Sequence, residues 1–254
     1  MPDLGFADYS ATVLVFLTVC AFTAGIVRGF SGFGSAFIFM PLASAVVGPK
    51  TAAAVILVID IIAAAPMIPN GWRFGDKRDV GIMTLGLPFG IPLGAYALTH
   101  SDPLLVRWLL VVLIVAVLTL LISGWRYRGR PIPVLTVAVG AMSGLLSGVA
   151  QMGAPPIILY WLGGASKASV VRANVVLFFA VSTPLQTAAY AVSGLLPLTL
   201  FGLIALTGPA YGLGIWLGGR MFHLASERTF RRLCYALIAL AALIGMPLFD
   251  GVLR

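Results

Sequence analysis

The chain has 254 residues, of which 60% are hydrophobic and only 9% are charged, whereas a soluble domain carries about 25% charged residues. This composition excludes a water-soluble globular protein. The net charge of +8 lies in short connections between apolar segments, so it indicates membrane topology rather than nucleic-acid binding. Cys20 and Cys234 both lie inside apolar stretches, so we expect no disulfide framework.

Apolar segments fill the chain almost from end to end, and we predict that they are helices because backbone groups in lipid must be satisfied internally. Alternating hydrophobicity, which would indicate a barrel, is absent. The second and seventh segments are shorter than the roughly 20 residues of a full span, so whether they cross the membrane or re-enter it stays open. The N-terminus has no basic residue before the first segment, so no cleavable signal peptide is expected. The ten segments lie at about 11–28, 31–47, 51–69, 80–99, 104–124, 132–149, 153–163, 168–192, 195–219 and 230–249.

An internal repeat links the two halves of the chain. The segment GIVRGFSGFG (25–34) aligns with GLLSGVAQMG (144–153) at a constant offset, since 144−25, 148−29 and 153−34 all give 119. We therefore predict one transmembrane domain (1–254) built from two repeats at about 10–126 and 131–250, each opening with a glycine-turn hairpin. Five segments per repeat is an odd number, so the second repeat is expected to be inverted, as in many secondary transporters.

Basic residues mark alternate connections, which fits this topology. By the positive-inside rule, the basic connections face the cytoplasm and both termini point outward. Four spans per half would not leave all the basic connections on one side. The basic residues are Arg73, Lys77 and Arg78; Arg126, Arg128 and Arg130; and Arg220, Arg228, Arg231 and Arg232.

Charges at membrane depth are candidates for function, because each costs about 2.5 to 3.5 kcal/mol on insertion scales. Asp60 lies in the middle of VILVIDIIAAAP. One interpretation is a proton acceptor that couples transport to the proton gradient, and the other is a counter-ion for a buried arginine.

Two arginines are candidates for binding an anion, because the guanidinium offers paired hydrogen-bond donors. Arg28 lies at the first glycine turn, and Arg172 lies near the start of the eighth segment with Asn174 two residues later. Either arginine could instead extend along its aliphatic stem to the membrane interface. We expect Arg172 to be the buried arginine that contacts the anion.

The glycine turns are the second candidate element. A helix that begins inside the membrane presents unpaired N–H groups and the positive end of its dipole, which favours an anion. Helices after Gly34 and Gly153 would supply these groups, and we expect the anion to bind near the bilayer midplane between the two turns. Further candidate side chains are Ser31, Ser35 and Gln151, together with Gln186 and Tyr190, which follow Pro184.

The glycines one or two turns earlier have a simpler interpretation. Gly25, Gly29, Gly144 and Gly148 form small-xxx-small pairs, which we assign mainly to close helix packing. No metal centre, cofactor site or catalytic arrangement is expected, because His100 and His223 are isolated and no nucleotide fingerprint occurs.

The two turn segments, GFSGFGSAFIFMPL (29–42) and GVAQMGAPPIILYWL (148–162), resemble those of the sulfite exporter TauE/SafE family. In that family each half carries a glycine-rich turn, an apolar stretch ending near proline, and then a Lys/Arg-Ala segment. The first half matches this pattern well. The second departs from it, since Gln151 and Met152 replace glycines. The resemblance implies transport of small sulfur-containing or organic anions across the cytoplasmic membrane, commonly outward.

These observations favour a secondary transporter of the inner membrane, a probable exporter of sulfite, sulfonates or related organic acids. The expected partners are a small anion and the lipid bilayer, with a homo-oligomer left open and no nucleic acid. A non-transporting assembly or interaction protein is the main alternative, and a membrane-embedded enzyme is the other.

Overall fold

A computed structural model describes residues 9–124, 127, 132–163, 168–221 and 227–249. Within these residues the chain is all-α and contains no strand, which confirms the predicted fold class. Short 3-10 turns occupy Ala65–Met67 and Pro247–Phe249. The α-helices are α1 (Ala11–Ser31), α2 (Ser35–Val47), α3 (Pro49–Ala64), α4 (Ile68–Phe74), α5 (Lys77–Thr84), α6 (Leu87–His100), α7 (Pro103–Ser123), α8 (Pro133–Ala150), α9 (Ala154–Gly163), α10 (Ala168–Val192), α11 (Leu200–Met221) and α12 (Glu227–Ile244).

Each of the ten predicted apolar segments is helical, and two of them are broken. The third segment bends by 70° between α3 and α4, and the fourth bends by 47° between α5 and α6. The first break contains Pro66, which lacks the amide hydrogen that would continue a helix. At the second break, Leu85 and Gly86 donate their amides three residues back, which tightens the chain into a turn.

Five of the described helices, α1, α7, α8, α10 and α11, are long and apolar enough to cross a membrane, and counting each bent pair as one span raises the number to seven. The helices after the glycine turns are shorter, with 13 residues in α2 and 10 in α9. This confirms the predicted shortness of the second and seventh segments. The protein is therefore a multi-pass membrane protein.

The chain divides into two compact units, and the first comprises the residues up to 59, 101–119, and those from 195 onward. Its longest helix contact joins α1 to α11. A Cβ placed on Gly29 would lie 2.1 Å from the carbonyl oxygen of Ile215, and Gly214 fits equally closely against Phe22. The helix backbones touch at these positions. The packing role predicted for Gly25 and Gly29 is confirmed.

The second unit comprises residues 60–100 and 120–194. Here α6 packs along α8, and a Cβ on Gly90 would lie 2.0 Å from the carbonyl oxygen of Ala141. Gly144 and Gly148 face α6 at Ile91, so their predicted packing role is also confirmed. Each unit holds helices from both predicted repeats. The repeat boundaries remain a prediction.

Candidate functional site

The first glycine turn joins α1 to α2 and carries a buried cation. The chain reverses at Gly32 (φ 79°) and Gly34 (φ 98°), a left-handed conformation that glycine adopts without a steric penalty. The Gly32 amide donates to the carbonyl of Arg28 at 2.8 Å, and Arg28 Nη1 donates to the Gly32 carbonyl, also at 2.8 Å. The Arg28 side chain is only 9% exposed. Its guanidinium is therefore held at the turn and covered by protein.

The helix that follows this turn begins in protein rather than in solvent. Ser35, the first residue of α2, is 5% exposed, and the next residues through Pro41 are also buried. Gly34 caps the helix without any side-chain hydrogen bond. The buried Arg28 guanidinium binds a carbonyl three residues before the start of α2, so a positive charge and the positive end of a helix dipole occur at the same turn. The side chain of Ser31 lies outside the described residues.

The second glycine turn joins α8 to α9 and has a different chemistry. Gln151 adopts φ 60° and is the only non-glycine residue with positive φ in the described part of the chain. Its amide donates to the Ser147 carbonyl at 2.9 Å, and the Met152 amide donates to the Leu146 carbonyl at 3.2 Å. These are the bonds that close a helix C-terminus. A residue with a Cβ accepts strain here, which often marks a functional position.

The two turns share the offset found in the sequence. Helix α1 ends at Ser31 and α8 at Ala150, and α2 begins at Ser35 and α9 at Ala154. The differences 150−31 and 154−35 both equal 119. Gly32 and Gln151, which both have positive φ, obey the same offset, whereas Gly34 has positive φ and its counterpart Gly153 does not. The helix ends and one left-handed position therefore repeat, although the side chains do not.

Two serines of α8 line the second turn, and neither was a predicted site residue. Ser143 Oγ donates to the Gly153 carbonyl at 2.6 Å. Ser147 is 2% exposed, and its Oγ has no hydrogen-bond partner among the described residues. A Cβ on Gly153 would lie 2.0 Å from that Oγ, so the hydroxyl points directly at the turn. An unpaired buried hydroxyl costs about 1 to 3 kcal/mol, and such groups often serve a ligand.

Gln186 and Tyr190 of α10 hold the end of α8. Gln186 Nε2 donates to the Ser147 carbonyl at 2.6 Å, and Tyr190 Oη donates to the Gly148 carbonyl at 2.7 Å. Both side chains are buried. The structure thus brings Gln151, Gly153, Gln186 and Tyr190 together around one helix end, where Gln186 and Tyr190 satisfy backbone carbonyls.

Arg172 lies in the second turn of α10 with an exposed side chain. The expectation that Arg172 is buried is therefore wrong, while its contact with the anion remains a prediction. Asn174, by contrast, is 2% exposed, and its Oδ1 accepts the Asp76 amide at 2.7 Å. That bond anchors the start of α5.

Asp60 is half-buried and lies in the last two turns of α3, shortly before the 70° break. Its position inside an apolar helix agrees with the sequence. Its role in proton coupling remains a prediction.

Sequence reasoning also missed a second buried arginine. Arg107 of α7 is 4% exposed, and its Nη2 donates to the Gly245 carbonyl at 3.2 Å. Gly245 in turn lies against Pro41 of α2, where a Cβ would come within 2.6 Å of the proline ring. Because Arg107 is five residues into its helix, the sequence pattern resembles an interfacial arginine. Its only signal is that it is the sole charge in α7.

The described residues thus form a multi-pass helical membrane protein in which two short helices begin at glycine turns, one of them beside a buried cation. The sulfite exporter TauE/SafE family matches residues 17–244. The chain belongs to this family.

A curated relative agrees with this assignment. The chain is 26% identical over 227 residues to the "Probable sulfite/organosulfonate exporter TauE" of Cupriavidus necator, covering 85% of this chain and 88% of the relative. No solved structure matches the chain. The family is one of membrane transporters rather than enzymes, so a small anion and the surrounding lipid are the partners that membership suggests.

Proposed function

We propose that the chain is a secondary transporter of the bacterial inner membrane that exports sulfite, sulfonates or related small organic acids. The observation that carries this proposal is the buried guanidinium of Arg28 at the turn where α2 begins. A cation and a helix dipole in a dry environment both favour an anion over a neutral or cationic solute. Family membership and the relative from Cupriavidus necator support the sulfur oxyanion as its chemical class.

The second turn supplies neutral hydrogen-bonding groups. Ser143 Oγ donates to the Gly153 carbonyl, whereas Ser147 Oγ has no hydrogen-bond partner among the described residues and can donate to a ligand. The side chain of Gln151 belongs to the same turn. Two of the first three residues of α9 are Pro155 and Pro156, which have no amide hydrogen. The α9 start therefore depends on side-chain donors, whereas α2 keeps backbone donors at Ser35 and Ala36.

Flux into proteoliposomes tests the function directly. Purified protein in sealed vesicles is expected to move sulfite and small sulfonates saturably, and to leave a cation such as choline unmoved. Empty vesicles provide the leak control. If the folded protein moves none of a panel of small anions, the transport proposal fails and a non-transporting interaction protein becomes the better account.

Asp60 is proposed as the proton-coupling residue, since it is a carboxylate inside an apolar helix. Asp60→Asn is expected to abolish pH-gradient-driven flux while retaining substrate binding. Asp102→Asn is the matched control, because Asp102 is an exposed acid that only caps the start of α7. Normal gradient-driven flux in Asp60→Asn would remove the coupling role, whereas loss of folded protein would favour a buried ion pair.

The proposed orientation places both termini outside and inverts the second repeat. A cysteine introduced beside Lys77 is then labelled only from the cytoplasm, and one beside Ser101 only from outside. Labelling of both from the same side would contradict the orientation.

A further inference from the structure

Helix α4 packs against α10 on one side and is exposed on the other. Gly71 is buried, and a Cβ there would come within 2.8 Å of the Val176 side chain and 3.2 Å of the Leu177 backbone. The following turn is fixed as well, since the Gly75 amide donates to the Gly71 carbonyl at 2.9 Å and Asn174 holds the Asp76 amide. Packing against α10 and these hydrogen bonds therefore hold α4 in place, although the helix is only seven residues long.

The outward side of this segment is both aromatic and basic. Trp72 and Phe74 are 60% and 59% exposed. Lys77 Nζ lies 5.0 Å from the centre of the Trp72 ring, and the Arg73 guanidinium lies 5.4 Å from that of Phe74. We call this the basic-aromatic surface, and it comprises Trp72, Arg73, Phe74, Lys77 and Arg78. Large exposed rings beside cations are typical of protein at the lipid headgroup level.

The two acidic residues of the same segment accept hydrogen bonds from other groups of the protein. Asp76 Oδ1 accepts the amides of Arg78 and Asp79 at 3.0 and 3.1 Å, which caps α5. Asp79 Oδ2 accepts from the Trp161 indole. The three cations and Asp76 are exposed, whereas Asp79 is half-buried. Three cations against two carboxylates leave a net charge of +1 on residues 73–79, so the exposed surface is predominantly positive.

The position of this surface between apolar helices indicates which partner it binds. Residues 72–78 run from the end of one bent helix pair into the start of the next, so a membrane-embedded chain places them at a membrane edge. There the rings lie among acyl-chain ends and the cations among headgroups, where basic clusters attract anionic lipid. We infer that the basic-aromatic surface binds the headgroup of an anionic phospholipid. This inference does not depend on the transported substrate.

Native mass spectrometry of the detergent-solubilised full chain, titrated with phosphatidylglycerol or phosphatidylcholine, tests the inference. We expect the wild type to bind phosphatidylglycerol roughly tenfold more tightly, and Arg73→Gln/Lys77→Gln/Arg78→Gln to lose that preference. Arg73→Lys/Arg78→Lys keeps the charges and should retain it. Arg220→Gln is the matched control, because Arg220 is also exposed and lies 3.9 Å from the Trp216 ring.

Three outcomes would overturn the inference. One is an unchanged preference for phosphatidylglycerol in the triple glutamine variant, provided that the variant elutes as folded protein. Another is equal competition by glycerol phosphate, which would identify a site for free phosphate instead of a lipid headgroup. Loss of the preference in the lysine variant would show that guanidinium geometry, rather than a charged surface at the bilayer, governs binding, and this also contradicts the inference.

Discussion

The two glycine turns both reverse the chain between two helices, but one holds a charged side chain and the other holds neutral ones. The first reverses through Gly32 and Gly34 and holds the charged side chain of Arg28. The second reverses through Gln151 and is surrounded by neutral hydroxyl and amide groups. The two turns therefore share the positions of their helix ends and of one left-handed residue, while their side chains differ in charge. Recognition of charge is expected at the first turn, and neutral hydrogen bonding at the second.

The two turns also differ in the reason why each requires a glycine. At the first turn, the constraint is the left-handed backbone at Gly34 (φ 98°), which a Cβ would strain. At the second, Gly153 does not have positive φ, and the constraint is space, because α8 side chains approach its Cα. The two turns thus need glycine for different physical reasons, and substitutions can separate them.

The largest effect is expected at Gly153. Its Cβ in Gly153→Ala would meet the Ser143 carbonyl oxygen at 2.6 Å and Ser147 Oγ at 2.0 Å, so backbone must shift. We expect a destabilisation of about 3 kcal/mol, at the upper end for overpacking. Gly81→Ala is the control, since nothing lies within 4 Å of that Cβ, and it should be neutral or stabilising by about 0.5 to 1 kcal/mol. Equal unfolding temperatures for the two variants in detergent would refute this packing argument.

The two serines of α8 should respond with opposite signs. Ser143→Ala loses the hydrogen bond to Gly153 and is expected to destabilise by about 1 kcal/mol. Ser147→Ala removes an unpaired buried hydroxyl and should stabilise by a similar amount, about 1 kcal/mol. Thermal unfolding measures the sign, and sulfite flux measures the function. A stabilised Ser147→Ala that transports normally would show that the hydroxyl serves no substrate.

A comparable gain in stability is expected at Gln151. Gln151→Gly removes the cost of a Cβ at φ 60°, so the variant should be more stable by about 1 kcal/mol. It also removes the side-chain amide from the second turn, so flux should fall although stability rises. A rise in both would mean that the side chain has no part in transport.

The sequence was sufficient to predict the helices because hydrophobic length and glycine spacing are local properties. All ten apolar segments are helical, and the turn offset of 119 is met by the helix ends. The sequence did not predict the bends near Pro66 and Gly86, since the apolar stretches continue across both. Burial of arginines was predicted poorly for a related reason. Arg107 and Arg172 both lie early in apolar helices, and only the packing of other helices determines that the first is covered and the second exposed.

The serines of the second turn show a further limit. Ser143 and Ser147 lie among Gly144 and Gly148 in a small-residue pattern that predicts packing, and packing is what the glycines do. The serines lie one residue earlier, on the side that faces the turn. A spacing of four between two hydroxyls was the only signal, and it became informative once the chain was seen to reverse at Gln151.

Calorimetric titration of sulfite into purified, folded protein tests the central claim, that a buried cation at the first turn recognises the anion. Arg28→Ala is expected to weaken binding by about 10-fold to 100-fold, the loss of a hydrogen bond to a charged group. Arg172→Ala, which removes an exposed arginine, should weaken it less. Unchanged sulfite affinity in folded Arg28→Ala would contradict the account and move charge recognition away from the first turn.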